Sequence, residues 1–556
     1  MISRGNVPDH TEPTTDTDLV KDSRSDATTQ LASSAGATGS ATFVSRVLGL
    51  IRDQVLAYLF GAGNTMDAFN VAFRIPNLMR DLFAEGAMSA AFIPTFTKRL
   101  ALQGKESAWR LGNQLINALI IITGLLVILG MIFALPLVEL LAGNYSSVPG
   151  KLDLTVSLTR IMLPFLTLVA IAAALMGMLN SLNHFFTPAL SPAMFNLGVI
   201  LSALLFVPIA PLFGIEPIIA IAIGAMIGGL GQIIVQIPVL SREGYRYRFH
   251  LDPSDSGLRE ILLLMGPGTV AGAAVQINLL VNTILATGEG TGAVSWLNYA
   301  FRIMYLPIGL FGVSIATATL PTVSRAAAKN DIENIRSAVS SALRMMLMLG
   351  IPACFGLIAL AEPIVQLIFE RGSFTATDTS ATATALIFYA PGLIGYSAVR
   401  IIVPCFYALK NSFLPTYVSI VSVILNICLN IVLVQRFGYR GLALGTSIAA
   451  LFNAAILLYL LRDRLKGLDL KQITIAFGKI SIASALMAAS TIFVHQLLEN
   501  WWPQQLGLLS QMINLGISIC AGLIVLIGFA RVLHIQEWEG AHNRFVLQIK
   551  RLTGRK

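Results

Sequence analysis

Ser45–Leu100 reads SRVLGLIRDQVLAYLFGAGNTMDAFNVAFRIPNLMRDLFAEGAMSAAFIPTFTKRL. This stretch decides the fold, because it predicts two membrane-spanning helices joined by a tight turn at Gly61–Asn64. The two helices nevertheless carry eight ionisable side chains, which are Arg46, Arg52, Asp53, Asp67, Arg74, Arg80, Asp81 and Glu85. A charged side chain at the bilayer centre costs at least about 2.5–3.5 kcal/mol on insertion scales. These side chains are therefore expected to line a water-filled cavity or to pair with one another.

Helical spacing orders the charged side chains. Residues seven apart on a helix lie only about 20° from one another, so Asp67, Arg74 and Asp81 share one stripe. Arg52 and Arg80 lie off the stripes and have no obvious partner on their own helices. We interpret the cluster as a polar cavity whose spare positive charge holds an anion. The alternative is a set of internal salt bridges that only fix helix packing, with some side chains reaching the headgroup region.

The composition of the whole chain agrees with a membrane protein. Its 556 residues are 55% hydrophobic and only 12% charged, whereas soluble domains average about 25% charged residues. Apolar runs of 18 or more residues recur along the chain and predict a polytopic helical membrane protein. The net charge of +9 is spread over short loops, so it does not indicate a nucleic-acid partner. The four cysteines lie in apolar stretches and are predicted to be small buried hydrophobic residues.

Fourteen spans are predicted. They cover 38–61, 67–97, 113–141, 153–181, 187–211, 215–240, 258–285, 291–324, 337–361, 380–408, 412–435, 440–462, 473–498 and 508–533. The second and eighth spans are long and contain proline and glycine, so we expect them to tilt, kink or break.

The spans divide the chain into five regions. Residues 1–37 are predicted to be a disordered tail, 38–240 a first six-helix lobe and 258–462 a second six-helix lobe. Residues 473–533 form an added helix pair, and 534–556 form a basic tail. One alternate set of loops carries 17 basic residues against 4 in the other, which predicts that the first set and both termini are cytoplasmic.

An internal repeat supports the two lobes. Ala72-Phe-Arg-Ile75 in span two recurs as Ala300-Phe-Arg-Ile303 in span eight, and Pro94-Thr-Phe-Thr-Lys98 recurs as Pro321-Thr-Val-Ser-Arg325. Spans six apart run in the same direction, so we predict parallel, pseudo-symmetric halves related about the membrane normal. Chance similarity between apolar helices is the alternative explanation.

The second lobe adds cations to the cluster. The repeat aligns Arg302 with Arg74, and Arg400 is a further isolated cation in span ten. The planar guanidinium group suits phosphate oxygens, so an anionic phosphate group is the expected guest. The candidate substrate-binding residues are Arg46, Arg52, Arg74, Arg80 and Arg302, with Arg400 as a further candidate. The candidate supporting residues are Asp53, Asp67, Asp81 and Glu85.

Signals for an enzyme or a metal site are missing from the sequence. The chain has no phosphate-binding loop for ATP, and its six histidines are scattered. No loop carries the paired carboxylates that a metal-dependent lipid-phosphate transferase would need. We therefore predict a transporter with no cofactor and no bound metal.

Three motifs resemble one known family. They are the segments 45–53, 67–80 and 83–94, quoted within the opening stretch, and four shorter segments at 299–302, 320–321, 369–374 and 406–410 support them. Over about residues 40–535 the chain resembles the MurJ (MviN) family of lipid II flippases, which belongs to the multidrug, oligosaccharidyl-lipid and polysaccharide exporter superfamily. The resemblance implies fourteen helices in two lobes plus a final pair.

The resemblance also implies a substrate and a mechanism. The substrate would be lipid II, the undecaprenyl-pyrophosphate-linked precursor of peptidoglycan, moved from the inner to the outer leaflet of the bacterial plasma (inner) membrane for cell-wall synthesis. Alternating access would draw the pyrophosphate into a cationic cavity while the lipid tail stays in a groove beside spans thirteen and fourteen. The family's functional positions carry over to the residues Arg46, Arg52, Asp67, Arg80 and Arg302. Phe301 and Tyr305 depart from the family, which often has acidic residues there.

Two alternatives stay open. A cation-coupled exporter of small molecules or another polyprenyl-linked glycan in the same superfamily would be expected to place carboxylates at the cavity centre. A membrane enzyme acting on polyprenyl phosphates would need a cytoplasmic Asp or His cluster. The expected partners are lipid II and membrane lipids, with a monovalent ion as the alternative to membrane potential as energy source.

Overall fold

The computed structural model describes residues 16–81, 88–501, 507–535 and 537–538, and these residues form helices and turns without strands. The prediction of an all-α membrane protein is confirmed. In chain order the first nine helices are α1 Asp16–Phe60, α2 Asn64–Arg80, α3 Met88–Ile132, α4 Ala134–Ala142, α5 Lys151–Met162, α6 Phe165–Ser181, α7 Phe186–Leu205, α8 Pro217–Ile234 and α9 Ile237–Arg242.

The remaining helices follow a loop at residues 243–255. They are α10 Ser256–Thr287, α11 Ala293–Pro307, α12 Val313–Ala328, α13 Ile332–Ala359, α14 Ala361–Phe369, α15 Ala376–Tyr389, α16 Gly392–Ala408, α17 Phe413–Phe437, α18 Tyr439–Arg464, α19 Leu470–Trp501 and α20 Leu508–Val532.

Every predicted span falls on one helix or on consecutive helices. Within the described residues, 10 helices are long and apolar enough to cross a membrane, or 11 if the pair α15 and α16, bent by 45°, is one span. The first, second and seventh predicted spans are outside that number. Ionisable side chains lower the hydropathy of the first span, α2 is only 17 residues long, and the seventh span enters only as the shorter apolar stretch Val275–Thr287. The total of fourteen spans therefore stays a prediction.

The eighth span has an irregular turn where its proline and glycines predict one. α11 ends at Pro307, a π-helical turn covers Ile308–Gly312, and α12 follows. Proline has no backbone N–H, so one helical hydrogen bond is missing there. A π-helical turn has a different hydrogen-bond pattern and accommodates this change. Gly309 also allows a close approach, because a side chain there would overlap the Arg46 guanidinium.

The first helix is longer than expected. α1 begins at Asp16, so residues 16–37 are helical and not disordered as the sequence predicted. The last proline before the span is Pro13, and without a proline a helix propagates with one hydrogen bond gained per residue. Residues 1–15 and 539–556 lie outside the described residues, and the cytoplasmic location of both tails stays a prediction.

The cysteine prediction is half correct. Cys354 and Cys405 are buried, but Cys428 and Cys520 are exposed. A helix that faces lipid carries apolar residues on its outer surface too, so an apolar neighbourhood in sequence does not predict burial here.

The loop between α9 and α10 is fixed by charged pairs. Asp255 accepts from Arg99 through both carboxylate oxygens, each at 2.8 Å, and from the backbone nitrogens of Gly257 and Leu258. The Arg99 hydrogen bonds lower the pKa of Asp255 by more than burial raises it. Hydrogen bonds from Lys105 and His184 likewise lower the pKa of Glu243.

Candidate functional site

One carboxylate joins the two halves of the chain at the centre of the site. Asp53 on α1 lies 2.7 Å from Nη2 of Arg52 through Oδ1, and 2.8 Å from Nε of Arg302 on α11 through Oδ2. The side chains of Arg52 and Asp53 are 9% and 6% exposed, whereas that of Arg302 is 54% exposed. Arg302 therefore keeps one side of its guanidinium open to the neighbouring cavity.

Arg52 is held by three kinds of contact. Besides Asp53, its Nη1 donates to Oδ1 of Asn196 at 3.0 Å, and its guanidinium lies 5.3 Å from the centre of the Phe195 ring. Asn196 in turn donates to the carbonyl oxygen of Ser45 at 3.0 Å. α7 thus fixes the orientation of a buried cation on α1.

The arginines of α2 extend the site. Arg74 donates from Nε to the Thr283 hydroxyl at 3.2 Å, and within the described residues no carboxylate lies within ion-pair distance of it. Arg80 pairs with its neighbour Asp81 at 2.7 Å, and Asp81 also accepts from Gln276 at 3.4 Å. The expectation that Arg52 and Arg80 lack partners on their own helices is wrong, because each one pairs with the next residue in sequence.

Two adjoining cavities bring the arginines together. A cavity of about 370 Å³ is lined by Arg52, Arg74, Arg80 and Arg302, and its described lining contains no carboxylate. A second cavity of about 450 Å³ between α1 and α11 is lined by Arg46 together with Asp53, Arg302 and Tyr305. The cavities share the residues Ser45, Asn196 and Arg302. All five predicted substrate-binding arginines thus line one connected pair of cavities.

Asp67 lies elsewhere. Its buried carboxylate is 3.1 Å from Lys151 Nζ and accepts from the backbone of Gly292 and from both the backbone and the hydroxyl of Ser295. It does not line either arginine cavity among the described residues, although helical spacing placed it on a stripe with Arg74. The physical reason is that Lys151, 84 residues away, satisfies the carboxylate in the first turn of α2.

Arg400 reaches the site through an aromatic residue. Its guanidinium donates to the Tyr305 hydroxyl and lies 5.9 Å from the centre of that ring. Tyr305 stacks on Phe301 with ring centres 5.8 Å apart. Phe301 and Tyr305 therefore place aromatic rings, and not carboxylates, beside the second cavity.

The remaining expectations concern Glu85 and metal binding. Glu85 lies outside the described residues. No group of three or more His, Cys, Asp or Glu side chains that could hold a metal ion occurs in the part of the chain that the structure describes. Sequence reasoning missed Asn196, Thr283 and Lys151; the one signal for them was a polar side chain at or near an otherwise apolar span.

A third cavity is apolar. It measures about 650 Å³ and lies among α11, α13, α14, α19 and α20. Its lining includes Pro307 and Phe311 at one side, Met345 on α13, Leu360 just after α13, and Leu523 on α20. Its lining residue Pro307 follows Leu306, which lines the second arginine cavity.

Comparison with known proteins identifies relatives over most of the chain. The family "Lipid II flippase MurJ" matches residues 56–511. The chain is 32% identical over 502 residues to a probable lipid II flippase MurJ of Rickettsia prowazekii, covering 90% of this chain and 97% of the relative. It is 34% identical over 506 residues to the corresponding protein of Bdellovibrio bacteriovorus, covering 91% and 95%.

Solved structures give the same result. The chain is similar to a lipid II flippase MurJ in an inward closed conformation, with a TM-score of 0.73, 30% identity and coverage of 89% of this chain and 99% of the other. It also resembles an inward-facing multidrug transporter of the MATE family, with a TM-score of 0.65, 16% identity and coverage of 78% and 98%. The latter likeness concerns the fold alone.

Proposed function

The chain belongs to the lipid II flippase MurJ family, and on this premise we propose that its arginine-lined cavities bind the diphosphate of lipid II. The protein is then a multi-pass membrane transporter and not an enzyme. The observation that carries the proposal is the first cavity, where Arg52, Arg74, Arg80 and Arg302 face one space without a carboxylate among its described lining residues.

The electrostatics favour an anionic guest. At 4 Å and an effective dielectric constant near 20, one guanidinium attracts a unit negative charge by about 4 kcal/mol. Arginine also offers paired donors that match phosphate oxygens. Asp53 neutralises only part of this charge, since it is shared between Arg52 and Arg302. A cation would be repelled from the same space, which argues against a cation exporter.

The apolar groove suits the isoprenyl tail. It lies beside α19 and α20, the predicted thirteenth and fourteenth spans, and its lining residue Pro307 follows Leu306 of the second arginine cavity in sequence. A lipid with its diphosphate between α1 and α11 can keep its tail in this groove, outside the charged space. This arrangement supports the assignment of 473–533 as the tail-binding pair.

The two halves support alternating access. Asp67 and Ser295 hydrogen-bond at 2.8 Å and lie 228 residues apart, the same offset as the repeat-aligned pair Arg74 and Arg302. Contact between equivalent positions is expected near a two-fold axis. We infer two six-helix halves, 38–240 and 258–462, that rock around the arginines and carry lipid II from the inner to the outer leaflet of the plasma membrane. Both termini would be cytoplasmic, and membrane potential or a monovalent ion would supply the energy.

Transport by purified protein tests the proposal. Proteoliposomes carrying fluorescent lipid II are compared for the wild type, R52Q, R302Q and the control R325Q. Among the described residues, the exposed Arg325 side chain has one hydrogen bond, to the Pro321 carbonyl oxygen four residues away. R52Q and R302Q are expected to slow flipping by roughly tenfold or more, in line with about 1.5–3 kcal/mol for a charge-assisted hydrogen bond. Unchanged flipping in both variants, or chemical conversion of the lipid, would refute the transport assignment.

A further inference from the structure

A charged pair closes one end of the apolar groove. Oε1 of Glu537, just after α20, lies 2.6 Å from Nε of Arg344 on α13. The two side chains are only 11% and 18% exposed. Burying a charged pair is costly, and the cost is offset only where the contacts are good, so this pair calls for an explanation.

Arg344 is held in place by two further groups. Its Nη1 donates to the Ser340 hydroxyl at 3.0 Å and to Oε1 of Gln472 on α19 at 2.9 Å. These neutral partners fix the guanidinium but do not balance its charge. Glu537 is the one carboxylate within ion-pair distance of Arg344 among the described residues.

The pair stands at the mouth of the groove. Glu537, Trp538 and Met345 line that end, while Leu360 and Ile364 line the other. Apart from Glu537 and Thr491, the described lining residues are apolar. One guanidinium beside a long apolar groove is the arrangement that an anionic lipid requires, with its chain in the groove and its phosphate at the mouth.

The Glu537 carboxylate can take the place of that phosphate beside Arg344. A carboxylate and a phosphate both present oxygens that accept from a guanidinium, and a phosphate oxygen can take the position of Oε1. The other side of the groove reaches Pro307, one residue from Leu306 in the second arginine cavity.

We propose that Arg344 is a docking site for the phosphate group of an isoprenyl diphosphate lipid, and that Glu537 occupies this site when no lipid is bound. The inference rests on the proposed function, because it takes the flippase substrate as the occupant. It adds a binding residue outside the central arginine cavities and a side chain that competes with the substrate for it.

Binding of undecaprenyl diphosphate to the full-length protein in detergent tests the proposal. E537Q removes the competing charge with little change in size, and it is expected to tighten binding by roughly fivefold or more, as for a coupling of about 1 kcal/mol. R344Q is expected to weaken binding by a similar factor, with R344K restoring part of it. Binding of the neutral alcohol undecaprenol is expected to stay unchanged in all variants.

A matched control separates competition from helix anchoring. E499Q removes a carboxylate from α19 that lies 3.9 Å from His495 and does not line the groove. This variant is expected to bind undecaprenyl diphosphate like the wild type. Equal or weaker binding by E537Q would overturn the proposal and leave the pair a structural anchor. If R344Q does not fold, as judged by thermal unfolding, E537Q and E499Q alone decide.

Two further measurements show whether a negative result rejects the docking site or the proposed function. Phosphatidylglycerol that competes with undecaprenyl diphosphate at equal concentration would show a general anionic-phospholipid site and overturn the isoprenyl assignment. Flipping of lipid II by the wild type is measured in the same preparation. Flipping by the wild type with unaltered E537Q affinity rejects only the docking site, whereas absence of flipping rejects the proposed function.

Discussion

At the residue scale, two arginines of the site depend on the single side chain of Asp53. It is the carboxylate on which Arg52 and Arg302 meet, and it joins α1 to α11 across the two halves of the chain. Removing one partner of a buried ion pair costs more than the pair contributes, because the remaining charge stays buried without compensation. Here the remaining charges would be two guanidinium groups.

Replacing Asp53 should therefore destabilise the protein. We expect D53N to lower the free energy of unfolding by about 3 kcal/mol, and the double variant D53N/R302Q to recover part of that loss. Thermal unfolding in detergent, followed by circular dichroism, measures both effects. Wild-type stability of D53N, or a double variant that is less stable than D53N, would contradict the shared role of this carboxylate.

The same residues show what sequence alone could predict about the site. Because a charged side chain is costly in a bilayer, the sequence predicted that five arginines share a cavity. All five line the two arginine cavities, namely Arg46, Arg52, Arg74, Arg80 and Arg302. The partner of each charged side chain could not be predicted, because helical spacing relates only residues on the same helix. Asp67 pairs with Lys151, and Arg302 pairs with a residue almost 250 positions earlier.

At the scale of single helices, the start of α10 depends on Asp255. This residue caps the helix through two backbone nitrogens and pairs with Arg99. Its pKa is lowered in the folded protein, so folding is favoured by its ionised form. That stabilisation is fully present above the ordinary pKa of an aspartate and is lost as the pH falls through the lowered, folded-state pKa.

D255N should accordingly reduce stability at neutral pH and have little effect in acid. The expected loss at neutral pH is about 1 kcal/mol, because asparagine caps a helix as well as aspartate does but cannot form the ion pair with Arg99. Unfolding midpoints measured from neutral pH down through the acidic range should converge for the variant and the wild type. D252N is the control, since the Asp252 carboxylate accepts from the backbone nitrogen of Ser254 and, among the described residues, pairs with no cation. A difference between D255N and the wild type that does not depend on pH would contradict this account.

Elements were easier to predict than their number or ends. Within the described residues, every predicted span lies on one helix or on consecutive helices, since long apolar runs have few other solutions in a bilayer. The irregular turn in the eighth span followed from Pro307 and the neighbouring glycines. The sequence did not predict the helical extension of α1. A polar segment without apolar periodicity is compatible with disorder and equally with a helix that continues from a neighbouring span.

At the scale of the whole molecule, several contacts between the two halves lie at one end. Asn64 accepts from the Thr291 hydroxyl at 2.9 Å, Asp67 binds Ser295, and the backbone of Ser373 donates to Tyr58 at 2.8 Å. Our predicted orientation places this end outside the cell. Alternating access requires that these contacts break when the cavities open outward.

Cross-linking this end should therefore stop transport. In a background with the four native cysteines replaced by serine, we expect oxidation of N64C/T291C to abolish lipid II flipping in proteoliposomes and a reductant to restore it. The control pair T123C/T167C joins two hydroxyls that lie 3.0 Å apart within the first half, on α3 and α6, so its oxidation should leave flipping unchanged. Mass spectrometry verifies each disulfide. Full flipping by the oxidised N64C/T291C protein would mean that the halves do not separate at this end, and a different route for the lipid would have to be sought.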